Sequence, residues 1–99
     1  MKKNNFLYMP SFVQVKYQNI GTFIVFSGNY STVIFSIKPS TNSVFTLLTA
    51  IDPASTLVED PVYNNYTGMA QDIIYYPGKF AIKVINPGID GINLEYKIM

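Results

Sequence analysis

The acidic side chains are the first place to look for chemistry, because the chain has no histidine and no cysteine. Asp52, Glu59 and Asp60 lie within nine residues of one another in the sequence, in one predicted loop. Carboxylate oxygens are among the ligands that Ca²⁺ prefers. Their spacing does not match the EF-hand pattern, and Asp52 directly precedes a proline, which is typical of a helix N-cap. Capping and solvation explain these acids as well as a metal site does. We therefore predict no metal site.

The serines and lysines are the remaining candidates for catalysis. Without histidine or cysteine, a covalent mechanism would need serine and lysine acting together, or a pair of facing carboxylates. The chain contains neither a Ser-x-x-Lys nor a Gly-x-Ser-x-Gly motif. All of its basic residues are lysine, and the net charge is +1. We expect no enzyme activity, no cofactor and no nucleic-acid partner, since phosphate binding needs a concentrated basic surface.

The low charge is the main compositional signal. Charged residues make up 13% of the chain, against about 25% in ordinary soluble domains. Apolar residues make up 48%, so long-range repulsion does little to keep copies apart. We favour a surface that is covered by protein partners. An AT-rich genome, which favours Ile, Asn, Lys, Tyr and Phe codons, is the alternative explanation.

The N-terminal residues do not fit the pattern of a secretory signal, so we expect no signal peptide. Lys2 and Lys3 are followed by an apolar stretch that ends at Pro10, whereas a signal peptide needs about 7–15 apolar residues and a small-residue cleavage site. No run approaches the roughly 18 apolar residues of a membrane span. We expect a virion or cytoplasmic location, with an N-terminal arm over 1–11 and one domain over 12–99.

Short alternations of apolar and polar residues, separated by Gly, Pro and Asn, dominate the chain and predict an all-β fold. The clearest runs are 12–17, 22–27, 32–38, 44–51, 80–85 and 92–98. We predict a single β-sandwich, jelly-roll or immunoglobulin-like, with seven to eight short and mostly antiparallel strands.

The turn residues predict how these strands connect. Gly28-Asn29 is typical of a tight hairpin between the second and third runs. Pro77-Gly78 and Pro87-Gly88 have the residues of type II turns. Asp52 before Pro53 predicts one short helical turn, and the rest of 52–71 lacks a strand pattern and is expected to be a long loop.

The last two runs predict a hairpin with a definite register. Matching their apolar faces places Val84 opposite Leu94 and Lys83 opposite Glu95. On this register Phe80, Ile82 and Val84 point inward.

Two groups of residues are candidates for protein contact. The run 22–27 is apolar on both faces, which predicts a central strand or one covered by a partner. The tyrosines in or beside the long loop suit a protein interface, sugar stacking, or a cover over the open end of the sandwich. The predicted interface residues are Phe23, Val25, Tyr63, Tyr66, Tyr75 and Tyr76.

These features together predict a non-enzymatic structural protein that is a subunit of a larger assembly. Its size and composition resemble those of a virion component, such as a minor capsid, decoration or spike protein. The expected partners are copies of itself or other structural proteins. The alternative is a β-sandwich module that binds glycans or cell-surface ligands through the loop that contains Tyr63 and Tyr66.

Overall fold

The computed structural model describes residues 12–28, 32–75 and 77–98. These residues contain β-strands, turns and loops, and no helix. None of them therefore forms a helix that could reach across a bilayer. The strands are β1 (Val13–Tyr17), β2 (Gly21–Ser27), β3 (Val33–Pro39), β4 (Val44–Ala50), β5 (Val58–Glu59), β6 (Ala70–Ile74), β7 (Lys79–Asn86) and β8 (Ile92–Ile98).

The eight strands form two antiparallel four-stranded sheets that pack face to face. The first sheet has the order β1-β8-β3-β6 and the second has the order β2-β7-β4-β5. Every consecutive pair of strands except β4 and β5 lies in different sheets, so the chain crosses between sheets at nearly every turn. This strand order is that of an eight-stranded jelly roll. The predicted all-β sandwich is confirmed, and of the two predicted topologies the structure has the jelly roll.

The core lies between the sheets and is built from the inward face of each strand. On β7, Phe80, Ile82 and Val84 are buried as predicted, because alternate residues of a strand point to the same side. The members of this core are Tyr17, Val33, Phe35, Ile37, Phe45, Leu47, Ala70, Phe80, Ile82, Val84, Ile92 and Leu94.

Both predicted hairpins are wrong. Beyond Gly28 the chain passes from the second sheet to the first, since β2 pairs with β7 while β3 pairs with β6 and β8. Asn29 lies outside the described residues. The terminal hairpin is absent because β7 pairs with β2 and β4, whereas β8 pairs with β1 and β3.

The predicted register of the terminal hairpin fails for a simple physical reason. Val84 and Leu94 are both buried in the core, but they belong to opposite sheets. Lys83 pairs with Thr22 and Thr46 instead of Glu95. Two strands with inward apolar faces satisfy the same pattern whether they are neighbours in one sheet or lie across the core from each other.

The two predicted type II turns have different outcomes. Gly88 has a φ of 76°, the positive value that the third position of a type II turn requires. Gly78 does not have a positive φ, so the prediction there is wrong. Gly78 is needed for space instead, since a Cβ atom built on it would lie 2.0 Å from the Cα atom of Asp52.

The segment predicted as one long loop contains β5 and the start of β6. The apolar pattern is hidden there because β5 has only two residues and β6 is an edge strand that carries Gln71 and Asp72. Asp52 does cap a turn: Oδ1 accepts the Ala54 N–H at 2.8 Å, and Oδ2 accepts the Ser55 hydroxyl at 2.9 Å. The turn does not continue into a helix.

Candidate functional site

The first group of predicted interface residues, Phe23 and Val25, lies on β2, which is an edge strand. The first alternative predicted for this run, a central strand, is therefore wrong, and the second, a strand covered by a partner, stays a prediction. A β-bulge between Ile24 and Phe26 changes the alternation of the strand. Phe23, Val25 and Phe26 therefore all pack against the core, and Ile24 is left 54% exposed. The bulge explains how a strand that is apolar on both faces fits a single core.

Tyr63 and Tyr66 point into the sandwich. The Tyr63 ring packs edge-on against Phe35 with centroids 6.0 Å apart, and the Tyr66 ring packs in the same way against Phe45 at 5.8 Å. The two tyrosine rings also contact each other at 5.1 Å. Both are partly buried against the core. Of the three readings of these residues, this geometry favours the cover over the open side of the sandwich.

The backbone of 60–66 is held along the first half of β4, on the edge that β5 pairs with farther along at Leu48 and Thr49. Phe45 and Tyr66 exchange backbone hydrogen bonds of 3.0 and 2.7 Å, and the Leu47 N–H donates to the Tyr63 carbonyl at 2.8 Å. The Thr46 hydroxyl donates to the Asn64 side chain at 3.0 Å. The loop is therefore an anchored part of the fold, and it protects an edge that would otherwise be open to pairing.

One hydrogen bond from this loop joins the two sheets. The Tyr63 hydroxyl donates to Asp72 Oδ2 at 3.3 Å, and Asp72 lies on β6 at the edge of the first sheet. Burial, together with the nearby negative charge of Asp72, raises the pKa of Tyr63 above its ordinary value.

An apolar cleft of about 430 Å³ lies where β4 and β6 end. Ile51 follows β4 and Tyr75 follows β6, and Val58, Ile74 and Pro77 also contribute apolar side chains to it. We call this set of five residues the apolar cleft. Ile51 is 85% exposed, Tyr75 is 71% exposed and Val58 is 64% exposed. Tyr75 is the predicted interface residue that the structure places in an accessible apolar surface, and Tyr76 lies outside the described residues.

A second concave surface, of about 440 Å³, lies on the outer face of the first sheet. Strands β1, β8 and β3 contribute its polar side chains. We call this surface the polar groove, and its polar residues are Gln14, Lys16, Ser36, Lys38, Asn93 and Glu95.

Two contacts order one side of the polar groove. Gln14 Nε2 donates to Glu95 Oε2 at 2.8 Å, and the Lys16 ammonium pairs with Asp90 at 3.0 Å. The sequence pattern marks these positions only as the outward face of strands, because their neighbourhood depends on which strands pair.

The three acids considered as calcium ligands each have local partners. Asp60 accepts the N–H groups of Val62 and Tyr63, and Glu59 lies 3.5 Å from the Asn64 amide. Within the described residues, no three side chains of His, Cys, Asp or Glu are grouped closely enough to hold a metal ion.

The chain matches no protein-family model, no curated protein and no solved structure. The two surfaces described above, and the chemistry of their side chains, are therefore what any functional argument depends on.

Proposed function

We propose that this protein is a non-enzymatic structural subunit that associates with copies of itself through the apolar cleft. The observation that carries the proposal is the strong exposure of Ile51, Val58 and Tyr75 around one concave apolar surface. Isolated exposed apolar residues are common, but a cluster of them around a cleft is typical of a surface that contacts another protein.

The chemistry of the apolar cleft suits protein association. Tyr75 presents a large rigid ring and a hydroxyl group, and tyrosine is enriched among the residues that dominate interface energies. Removing apolar surface from water is favourable by about 25 cal/mol per Å². The net charge of +1 adds little repulsion between copies.

Within this class, the specific form that we propose is a virion component, such as a minor capsid, decoration or spike protein, present in the virion or in the cytoplasm. Eight-stranded jelly rolls are common among viral capsid domains. This part of the proposal is an analogy at the level of the fold, and it is independent of the apolar cleft. Other structural proteins of the same assembly are the second kind of partner.

The glycan-binding alternative depends on Tyr63 and Tyr66 as a stacking surface for sugars. Sugar stacking on Tyr63 and Tyr66 needs exposed ring faces, and these rings pack against Phe35, Phe45 and each other. We therefore do not propose a glycan site on this loop.

Sedimentation and native mass spectrometry over a range of concentrations test the proposed function. The variant Ile51→Ser/Tyr75→Ser removes two exposed cleft side chains without touching the core. Loss of a contact worth about 2 kcal/mol weakens association roughly 30-fold. Ile89→Ser is the matched control, since Ile89 is 76% exposed and lies in the turn between β7 and β8, at the opposite end of the sandwich.

We expect the parent chain and the Ile89→Ser variant to form the same oligomer and the double variant to dissociate. A parent chain that stays monomeric up to about 1 mM contradicts self-association through this surface, because a weaker Kd corresponds to less than about 4 kcal/mol. Equal dissociation of the control variant also contradicts it, because the effect is then not specific to the cleft.

A further inference from the structure

We propose that the polar groove binds an acidic sugar, that is, a saccharide unit that carries a carboxylate beside its hydroxyl groups. This inference goes beyond the proposed function and involves a different surface, on the outer face of the first sheet. It depends on the side chains that strand pairing brings together there.

The pairing of β1, β8 and β3 arranges six polar side chains in two rows. Neighbouring strands lie about 4.8 Å apart, and residues two apart on a strand are separated by about 6.8 Å. The rows therefore cover a field of about 10 by 7 Å, which matches one sugar ring with its substituents. One row is Gln14–Glu95–Ser36 and the other is Lys16–Asn93–Lys38.

The second row supplies the positive charge. Lys16 and Lys38 lie on either side of Asn93, one strand away in each direction. Their flexible stems let both ammonium groups reach an anion above Asn93. Lys16 now pairs with Asp90 at 3.0 Å, but both side chains are exposed, 39% and 74%. Exposed ion pairs contribute little free energy, so a ligand carboxylate can replace Asp90 at small cost.

The first row supplies donors and acceptors without a cation. Gln14 donates to Glu95, which holds the carboxylate in place and leaves the Gln14 carbonyl oxygen free to accept. The Ser36 hydroxyl both donates and accepts. Sugar hydroxyl groups also do both, so they match this row, whereas a simple inorganic anion would use only the lysine row.

The composition of the polar groove selects against other ligands. Among the described residues no aromatic ring lines it, so this lining offers no surface on which nucleobases or the apolar face of a neutral sugar can stack. Glu95 lies one row from the lysines and repels a polyanion such as nucleic acid. A ligand with one negative charge at one end and neutral hydroxyl groups at the other end fits both rows.

Amide chemical-shift titration by NMR tests this inference. The probes are glucuronate and N-acetylneuraminate. Glucose, which has the hydroxyl groups without the charge, and acetate, which has the carboxylate without the hydroxyl groups, are the controls. We expect at least one acidic sugar to shift amides of β1, β8 and β3, and to bind at least tenfold more tightly than glucose or acetate.

Matched variants locate the site. Lys38→Gln should weaken binding of the acidic sugar at least tenfold, and Asn93→Ala should weaken it measurably. Lys97→Gln is the control for Lys38→Gln. It also removes one positive charge from the outer face of the first sheet, but Lys97 lies on β8 outside the polar groove. We expect its affinity to stay within twofold of the parent chain, and the dispersed amide spectrum of each variant reports that it folds.

Three results would overturn the inference. The first is no amide shift with either acidic sugar. The second is an affinity for acetate equal to that for the acidic sugars, which would mean that the polar groove recognises only an anion. The third is an equal loss of affinity in Lys97→Gln, which indicates diffuse electrostatic attraction. The oligomeric state is measured separately, so failure here is distinguishable from failure of the proposed assembly.

Discussion

Replacing Tyr63 and Tyr66 with alanine separates a structural role of these residues from a role in partner binding. The sequence predicts that Tyr63 and Tyr66 are interface residues, and an interface role would leave the thermal midpoint of the double variant nearly unchanged. The structure leads to the opposite expectation. Both rings pack against the core, and 60–66 is hydrogen-bonded along β4. We expect Tyr63→Ala/Tyr66→Ala to destabilise the fold.

The size of the effect follows from the lost ring contacts. The double variant removes three aromatic pairs: Tyr63 with Phe35, Tyr66 with Phe45, and the two tyrosines with each other. Each pair contributes about 0.5–1.5 kcal/mol beyond the burial of area. The sum is about 3 kcal/mol. A chain of this length has a free energy of unfolding of about 5–15 kcal/mol, so the loss is a large fraction of the total.

Thermal unfolding followed by circular dichroism measures this loss. A decrease of about 3 kcal/mol corresponds to a fall in Tm of roughly 12 °C or more for a domain of this size. Ile89→Ala is the control, because Ile89 is 76% exposed and lies outside the apolar cleft, and surface substitutions usually change stability by less than about 0.5 kcal/mol. A double variant that melts within about 3 °C of the parent chain, yet associates more weakly, would refute the structural role.

Three further expectations concern stability. Gly78→Ala should lower the free energy of unfolding in urea by about 1–3 kcal/mol, because the added Cβ atom would overlap the backbone of Asp52. Gly68→Ala is the control, since the nearest atom to a Cβ at that position is 3.5 Å away. Val84→Asp should abolish the folded circular dichroism and amide spectra, because an unpaired carboxylate in a fully buried position costs several kcal/mol; a variant that still folds would mean that this position is not in the core. The raised pKa of Tyr63 means that folding favours its neutral phenol, so this stabilisation is complete below pH about 10 and is lost as pH rises through the folded pKa. Tyr63→Phe should therefore reduce the loss of stability that urea titrations measure as the pH rises above about 10, and an unchanged slope there would contradict the shift.

Local patterns were enough to predict the fold class and most inward faces. Phe80, Ile82 and Val84 are buried as expected, since alternation along a strand depends only on the strand itself. The same holds for the turn at Gly88, whose positive φ follows from its own residue type and its neighbours.

Pairing between strands could not be predicted in the same way. An inward apolar face is equally compatible with a neighbour in the same sheet and with a strand across the core. For this reason the sequence pattern predicts a terminal hairpin with Val84 opposite Leu94, and the structure does not contain it. The bulge in β2 was hidden as well, because one extra residue changes the alternation without any glycine or proline to mark it.

The candidate surfaces also combine properties of single segments with properties that depend on which strands are neighbours. Composition and alternation are enough to establish that the chain has little charge, no thiol or imidazole chemistry, and an all-β pattern with several tyrosines in or beside a loop. Contacts between distant segments are what turn Tyr63 and Tyr66 inward while Tyr75 stays accessible beside Ile51. It also brought the two rows of the polar groove together from distant parts of the chain. The physical reason is that composition and alternation are properties of single segments, whereas a cleft or a row of side chains exists only once separate strands are neighbours.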